Sequence, residues 1–382
     1  MKHQVADYIE SLVPYVPGKS IQEVRREYQV PTVIKLASNE NPLGPSPKAV
    51  QAIQEAMKDL HRYPDVTGFQ LKEALSKHLE IPRRFMTLGN GSNEVIDTLI
   101  RTFCRSGDQI VTPKYSFIAY KTCAQIHGVE TIEVNVDERF QFNSEELLTQ
   151  VKVNEKVKMV FLSNPNNPTG VYISRSQMAE VVEGLKKIRR GSVFLVLDYA
   201  YWEYVTAPDL PDPFDLLSTY SSTTYSSTII LRTFSKIYGL AGLRVGYGIA
   251  EPDIINYLEK VRMPFNLNSL ALVGAEAALT DIAFIDRSKR ANQEGKQAWE
   301  AALKKLRIPF IPTQGNFIFA NVKAGLGRSG PEIFKDCLEK GVVFRPLANY
   351  GLEDHLRISI GTPEENDAGI QILGESGLKA AI

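Results

Sequence analysis

The chain has 382 residues, of which 43% are hydrophobic and 23% charged, shares that are typical of a globular protein. Its 44 Lys and Arg residues balance its 44 Asp and Glu residues, so net charge favours neither nucleic acid nor an anionic membrane as a partner. No run of about 18 apolar residues is present, which argues against a membrane span.

The N-terminal stretch lacks the apolar core of a signal peptide. The three cysteines are widely spaced and form no CxxC pair, so neither a disulfide framework nor a zinc site is indicated. HxH and HExxH spacings are also missing, and we therefore expect no metal. These features together favour a cytoplasmic protein.

The first part of the chain predicts a short helix at 5–12, a proline-rich turn at 42–47 and an amphipathic helix at 48–59. Near-continuous apolar runs separated by helical patterns follow. They predict strands at 109–113, 131–136, 157–165, 192–198, 227–231 and 245–250, and a strand that ends in a turn within 86–92. Such runs are typical of a mostly parallel sheet that is buried on both faces. The low-complexity stretch 218–227 predicts a loop.

The pattern changes at residue 269, where long helices to about residue 306 give way to short alternating strands. This alternation is typical of a half-covered sheet in a smaller α+β domain. We therefore predict an α/β fold with a large domain at 48–268. The segments 1–47 and 269–382 would form the small domain, with an N-terminal arm.

Polar residues follow several predicted strands. The turn GNGSNE at 89–94 opens a helix, and glycines before a helix N-terminus are typical of an anion site. SNPNNPTG at 163–170 is a rigid loop that carries Asn amides, and Asp198 ends an apolar strand. Each feature taken alone is also typical of an ordinary turn or cap.

The segment after the sixth strand contains Thr233, Ser235, Lys236 and Arg244. Two hydroxyls and a guanidinium suit a phosphate, and a desolvated lysine can react with an aldehyde, although a solvated loop would fit the segment equally well. Ligands of open α/β sheets bind at the carboxyl ends of the strands, where all these residues are expected. Together they form the set that pyridoxal phosphate requires.

These residues resemble the fold-type I family of pyridoxal-phosphate aminotransferases, class I and II. The shared motifs are SNPNNPTG, Asp198 with Tyr201, TFSK at 233–236 and LAGLRVGYG at 240–248. Within the family the chain is similar to the histidinol-phosphate aminotransferases. That narrower resemblance spans the chain and rests on PYVPGKS, KLASNENPLGPSPKA, RYPD, GNGSNE and HLRISIGTPEEN.

The resemblance implies cofactor-binding roles. Lys236 would bind pyridoxal phosphate covalently, Asp198 would pair with its ring nitrogen, Asn167 and Tyr201 would hydrogen-bond its ring oxygen, and Tyr115 would stack on its ring. The residues implied to hold its phosphate are Gly91, Ser92, Asn93, Thr233, Ser235, Arg244 and, from a partner subunit, Tyr63. The resemblance therefore also implies a homodimer with shared active sites.

The residues implied to bind substrate are Tyr15, Asn41, Arg345 and Arg357. The implied reaction is a ping-pong transfer of an amino group between histidinol phosphate and 2-oxoglutarate, giving glutamate, in histidine biosynthesis. Lys236, Asp198 and Tyr201 would be its catalytic residues. One departure is Tyr199, which stands where the family usually has Glu, and it leaves fine specificity open.

Three alternatives remain at this point. An aromatic amino-acid aminotransferase and a threonine-phosphate decarboxylase would share the Lys, Asp and Arg set on the same fold. A non-catalytic aminotransferase-like binding domain is a more remote alternative, because such proteins carry an extra DNA-binding domain and this chain has no basic segment. A nicotinamide-dependent dehydrogenase is disfavoured, because no GxGxxG follows the first strand.

Overall fold

A computed structural model describes residues 5–14, 18–188, 192–221 and 227–378. Its helices are α1 Asp7–Glu10, α2 Ile21–Tyr28, α3 Pro47–Ala56, α4 Phe69–Leu79, α5 Ser92–Phe103, α6 Ile118–Ile126, α7 Ser144–Val153, α8 Arg175–Lys187, α9 Pro213–Ser221, α10 Pro252–Val261, α11 Ser269–Leu279, α12 Ile282–Lys305, α13 Val322–Leu326, α14 Gly330–Glu339 and α15 Pro363–Leu378. Its strands are β1 Ile34–Lys35, β2 Met86–Gly89, β3 Gln109–Pro113, β4 Glu130–Val134, β5 Val157–Ser163, β6 Phe194–Asp198, β7 Thr228–Thr233, β8 Gly246–Ile249, β9 Phe310–Ile311, β10 Phe317–Asn321, β11 Val342–Val343, β12 Arg345–Leu347 and β13 Leu352–Ser359.

The large sheet has seven strands in the order β2-β8-β7-β6-β5-β3-β4. Only β8 runs antiparallel to its neighbours β2 and β7, and the other pairs are parallel. The predicted α/β fold with a mostly parallel sheet of about seven strands is therefore confirmed. β2 and β7 each run antiparallel to β8, so these two strands end at the same edge.

The large sheet is buried on both faces, which is why its strands are apolar runs. Along β5, Met159 and Phe161 join the core on one face, whereas Val160 and Leu162 join the core on the other. Successive side chains of a strand point to opposite faces, so two helical layers are needed to cover them. Every residue of β6 and β7 is buried accordingly.

A smaller sheet has the order β12-β13-β10-β9, with antiparallel pairs, and β1 pairs in parallel with β11. The prediction that these strands would be half-covered is wrong for β10. Ile318 and Ala320 lie in a core around Trp299, and Phe317 and Phe319 are also buried by contacts with other apolar clusters. Both faces of this strand are thus packed.

The α11 helix packs on α3 and α4 and contributes buried alanines to the core of the large sheet. The division of the chain into domains at residues 47/48 and 268/269 stays a prediction. The predicted loop at 218–227 is partly wrong, because α9 extends through Ser221, and residues 222–226 lie outside the described ranges. Among the described residues, no helix combines the length and apolar character needed to cross a membrane.

Candidate active site

A cavity of about 250 Å³ lies at the carboxyl ends of β5, β6 and β7. It brings together many residues that the sequence predicts for the site, namely Ser92, Asn93, Asn167, Asp198, Tyr201, Thr233, Ser235, Lys236 and Arg244. The lining also includes residues for which the sequence predicts no role, namely Ser38, Glu40, Phe117, Ser163, Ala200 and Ala241. The cavity therefore combines cations, hydroxyls and a buried carboxylate at one edge of the sheet.

Lys236 follows β7 directly and enters the cavity. Its Nζ donates a hydrogen bond to the carbonyl oxygen of Ser38 at 3.2 Å and lies 5.7 Å from the centre of the Tyr201 ring. Burial lowers the pKa of Lys236 to about 8, and the positive charges of Arg357 and Arg244 act in the same direction. At pH 7 about a tenth of this amine is thus unprotonated, far more than for an ordinary lysine, and this fraction can act as a nucleophile and a base.

Asp198 ends β6 and is 3% exposed. Its Oδ2 accepts a hydrogen bond from the Tyr120 hydroxyl at 2.8 Å, and its Oδ1 accepts one from the Ala200 N–H at 3.1 Å. Burial raises the pKa of Asp198 to about 6, although these two donors and the charge of Lys236 oppose the rise. At neutral pH the carboxylate is therefore ionised and can pair with a cationic group.

The N-terminus of α5 forms an anion site at the same edge. Gly91 precedes the helix with φ +74°, and no side chain caps the first turn, so the N–H groups there face the cavity region without an intrahelical partner. Gly246 approaches closely, since a Cβ at this position would lie 2.4 Å from the backbone nitrogen of Ser92. Unpaired N–H groups at a helix N-terminus attract phosphate.

Arg244 completes this anion site. A Cβ at Gly91, whose φ is +74°, would lie 2.4 Å from its Nη2, so any other residue would displace the guanidinium from this place. Its Nη1 donates to the Ala241 carbonyl at 3.0 Å and lies 3.4 Å from the Ser235 Oγ. The Thr233 hydroxyl donates to the Ser235 hydroxyl at 3.0 Å. A cation, two hydroxyls and a helix N-terminus thus converge.

Arg357 lies on β13 of the smaller sheet and is 8% exposed. Its Nη1 donates to the Asn167 Oδ1 at 2.5 Å, and its Nη2 donates to the Ala37 carbonyl at 2.6 Å. Because Asn167 lines the cavity, the guanidinium lies next to it and links the smaller sheet to the loop after β5. Such a planar group can bind a carboxylate or a phosphate bidentately.

Tyr201 lines the cavity beside Lys236, and its hydroxyl accepts a hydrogen bond from the Asn39 side chain at 3.0 Å. Burial raises the pKa of Tyr201 to about 12, so that the hydroxyl keeps its proton and can donate it to an acceptor in the cavity. Sequence reasoning gave Asn39 no role. The two residues are 162 positions apart, and no spacing rule could have paired them.

Two predicted residues lie outside the cavity for clear local reasons. Tyr115 has φ +60° and packs its ring 5.7 Å from that of Phe140, while Phe117 lines the cavity in its place. The side-chain amide of Asn41 donates to the Ile237 carbonyl at 2.8 Å and to the Ser288 hydroxyl at 2.9 Å. These hydrogen bonds hold the backbone next to Lys236 in place.

The remaining predicted residues also lie elsewhere. Arg345 pairs with Arg357 in the register of β12 and β13 but does not line the cavity. Tyr63 is 83% exposed and stacks on Phe265, with the ring centres 4.8 Å apart. Gly91 shapes the anion site through its backbone, and Tyr15 lies outside the described residues.

The model of the family "Aminotransferase class I and II" matches residues 31–373. The chain is 41% identical over 370 residues to the histidinol-phosphate aminotransferase of Anaeromyxobacter sp., covering 97% of this chain and 98% of that protein. It is 43% identical over 367 residues to the histidinol-phosphate aminotransferase of Moorella thermoacetica, covering 96% of this chain and 91% of that protein.

Solved structures share the fold. The crystal structure of histidinol-phosphate aminotransferase from Sinorhizobium meliloti in complex with pyridoxal-5'-phosphate has a TM-score of 0.87 at 24% identity, covering 100% of this chain and 99% of that chain. The histidinol-phosphate aminotransferase from Clostridium acetobutylicum has a TM-score of 0.81 at 24% identity, covering 91% of this chain and 100% of that chain.

Proposed function

The chain belongs to the class I and II aminotransferase family, and we propose that it transfers an amino group between histidinol phosphate and 2-oxoglutarate with pyridoxal phosphate as its cofactor. The observation that carries the chemistry is that Lys236, with its lowered pKa, shares a cavity with ionised Asp198 beside an anion site. The substrate assignment is supported by relatives that are about 40% identical over nearly the whole chain.

The side chains of the cavity fit the cofactor. The open first turn of α5 with Arg244 suits its phosphate, and the two glycines allow this close approach, since a Cβ at Gly91 would meet the Arg244 guanidinium and one at Gly246 the backbone of Ser92. Asp198 suits its ring nitrogen, because a buried carboxylate needs a cationic partner. When bound, pyridoxal phosphate supplies an aldehyde for amino-group exchange and a ring that accepts the electrons of a broken C–H bond.

We propose that Asn167 and Tyr201 donate hydrogen bonds to the cofactor's ring oxygen, because both line the cavity beside Lys236. The residue proposed to cover the ring face is Phe117, which lies in the cavity where Tyr115 does not. The residues proposed to hold the phosphate are Ser92, Asn93, Thr233, Ser235 and Arg244, with the backbone of Gly91.

Lys236 is proposed to act twice. Its unprotonated amine would hold the aldehyde carbon of pyridoxal phosphate when the cofactor is bound, and the same amine, when free, would be placed to accept the proton of the substrate α-carbon. Positioned proton transfer of this kind is typically worth about 10²–10⁴-fold in rate. The lowered pKa supports both roles, because a protonated lysine is neither a nucleophile nor a base.

Arg357 is proposed to bind the anionic group that is common to both substrates. Histidinol phosphate presents a phosphate and glutamate a carboxylate, and a guanidinium binds either one with two parallel hydrogen bonds. Arg345 lies opposite Arg357 in the strand register and adds positive charge near this end of the site. Tyr15 and Asn41 keep their assigned substrate roles only as predictions, and the hydrogen bonds of Asn41 favour a bracing role.

The active unit is proposed to be a homodimer in which Tyr63 reaches the phosphate of the partner's cofactor. Tyr63 and Phe265 stack at the surface where two apolar segments meet. The exposed apolar residues of these segments are Met57, Leu60, Tyr63, Val66, Phe69, Met263 and Phe265. Their number, together with the contact between Tyr63 and Phe265, supports an interaction surface here. A cytoplasmic location is proposed because all three cysteines are free thiols, which suits a reducing compartment.

An absorbance spectrum of the purified protein with pyridoxal phosphate tests the proposal. We expect a visible band that disappears on addition of histidinol phosphate and returns with 2-oxoglutarate, whereas Lys236→Ala gives no such cycle. Phenylalanine and threonine phosphate serve as competing substrates. A band that responds only to one of them would show that this compound is the substrate, while the cofactor chemistry would stand. A folded protein without a band would refute the substrate assignment and the cofactor chemistry alike.

A further inference from the structure

We propose that Tyr120 is a positioning residue for Asp198, whose carboxylate it holds ionised and aimed at the ring nitrogen of the cofactor. This inference rests on the proposed function, because it concerns the same cavity. Tyr120 does not line the cavity, but it contacts the lining residues Asp198, Phe117 and Ser163. Neither the family motifs nor the strand-end pattern assigns it a role.

The packing of the Tyr120 ring places its hydroxyl beside Asp198. The side chain is fully buried in α6, and its ring stacks on Phe161 of β5 with the ring centres 4.9 Å apart. It also packs edge-on against the ring of Phe117, with the ring centres 5.7 Å apart. Held between these rings, the hydroxyl donates to the Asp198 Oδ2 at 2.8 Å. Phenylalanine would fill the same apolar space, so packing alone does not explain a hydroxyl at this position.

The hydrogen bond completes the carboxylate's surroundings. The Ala200 N–H donates to Oδ1 and Tyr120 donates to Oδ2, so each oxygen has one fixed donor and keeps further acceptor capacity. These two bonds fix the plane of the carboxylate. The cofactor's ring nitrogen then meets an acceptor whose direction is set before binding, which lowers the entropic cost of pairing.

The same contacts also affect the protonation states of Asp198 and Tyr120. Burial raises the pKa of Asp198 to about 6, and Tyr120, the Ala200 N–H and Lys236 are the groups that oppose this rise. Burial, followed by the charge of Asp198, holds the pKa of Tyr120 well above its usual range, and the hydroxyl group of Tyr201 also faces Tyr120. Tyr120 is therefore a neutral donor throughout the working pH range and does not itself titrate.

The consequence of losing the hydroxyl can be calculated. A hydrogen bond to a charged group is worth about ten- to hundredfold in an equilibrium constant, so its removal moves the Asp198 pKa upward by that factor. Binding of the cofactor requires the ionised carboxylate. With the wild-type pKa at about 6, the variant should bind the cofactor about five- to fiftyfold more weakly at pH 6. At pH 8.5, where both carboxylates are ionised, the difference should be less than about twofold.

The experiment titrates the cofactor-free full chain with pyridoxal phosphate at pH 6 and pH 8.5, for wild type and Tyr120→Phe. The matched control is Tyr172→Phe, which removes a tyrosine–carboxylate hydrogen bond of 2.7 Å to Asp209 outside the cavity. We expect the pH-dependent loss of affinity only in Tyr120→Phe. A general packing defect would weaken binding equally at both pH values.

Equal affinities of wild type and folded Tyr120→Phe at pH 6, or a loss of the same size at both pH values, would overturn the inference. If Tyr120→Phe does not fold, p-aminophenylalanine in place of Tyr120 keeps the shape and substitutes a weaker N–H donor. The same pH-dependent loss, smaller in size, is then expected, and an unchanged affinity at pH 6 would overturn the inference. Wild-type protein that binds no cofactor at either pH would refute the proposed function instead.

Discussion

Arg357 is the residue whose replacement tests the substrate end of the site most directly. Its guanidinium makes two short hydrogen bonds, to Asn167 at 2.5 Å and to the Ala37 carbonyl at 2.6 Å. We expect the substrate anion to take hydrogen bonds from the same group. Arg357→Gln removes both the positive charge and the planar group that donates two parallel hydrogen bonds. Arg357→Lys keeps the charge but removes the planar group, so the pair of variants separates the contribution of charge from that of bidentate hydrogen bonding.

The expected size of the effect follows from the number of hydrogen bonds. Charge-assisted hydrogen bonds are worth about 1.5–3 kcal/mol each, and two of them correspond to roughly 10²–10⁴-fold in kcat/KM. Arg357→Gln should show this loss, and Arg357→Lys should recover part of it. Because this residue is proposed to bind the anionic group of both substrates, the loss should appear in the reaction with histidinol phosphate and in the reaction with 2-oxoglutarate.

Rapid mixing of each substrate with the matching form of the enzyme measures the two half-reactions separately. Arg328→Gln is a suitable control, because this arginine pairs with Asp336 at 2.6 Å away from the cavity. A loss confined to histidinol phosphate would show that 2-oxoglutarate uses another cation. Rates within about threefold of wild type for both substrates would refute the assignment of Arg357 altogether, since even one such hydrogen bond is worth more.

Three further predictions concern the frame of the site. Gly246→Ala should lower cofactor affinity at least about tenfold in a binding titration, because its Cβ would lie 2.4 Å from a backbone nitrogen at the start of α5. The control is Gly242→Ala, whose Cβ would have no atom within 4 Å, and this variant should bind the cofactor normally. The rate at which Lys236 combines with pyridoxal phosphate, measured by stopped-flow absorbance, should rise about tenfold from pH 7 to pH 9 and level off above its pKa of about 8. An ordinary lysine would instead give about a hundredfold rise without a plateau. Glu203→Gln should lower the free energy of unfolding by about 3–5 kcal/mol in urea titrations, because it leaves the buried Arg232, now 2.8 Å from Glu203, without its ionised partner.

The sequence predicted the large sheet well for a physical reason. Strands that are buried on both faces must be apolar throughout, so β5, β6 and β7 stand out as continuous runs, and their ends can be located to within a residue or two. Parallel strands then bring Asp198 and Lys236 to one edge without any knowledge of side-chain packing. The antiparallel direction of β8 was not predictable, because a short apolar run carries no direction.

The choice between Tyr115 and Phe117 shows where such reasoning ends. Both are aromatic, both follow β3, and they are two positions apart, so either could reach the cavity. The decision rests on the backbone at Tyr115, whose φ of +60° turns this ring toward Phe140 and leaves Phe117 at the start of α6 facing the cavity. A tyrosine in the left-handed region of backbone conformation is rare, and no neighbouring residue in the sequence predicts it.

The segment 37–41 shows the same limit of sequence reasoning, because only its Asn41 was predicted to have a role, in substrate binding, and the contacts of the segment are mostly internal. The Ala37 carbonyl accepts from Arg357, the Ser38 carbonyl accepts from Lys236, and the Asn39 side chain donates to Tyr201. Buried polar groups need partners, and this one segment supplies them to three functional residues from three different elements. A motif that accompanies the active site can thus be required because it holds the catalytic side chains in place, whether or not it touches the substrate. The same argument explains why Tyr120 and Asn39, to which the sequence assigned no role, lie one hydrogen bond away from Asp198 and Tyr201.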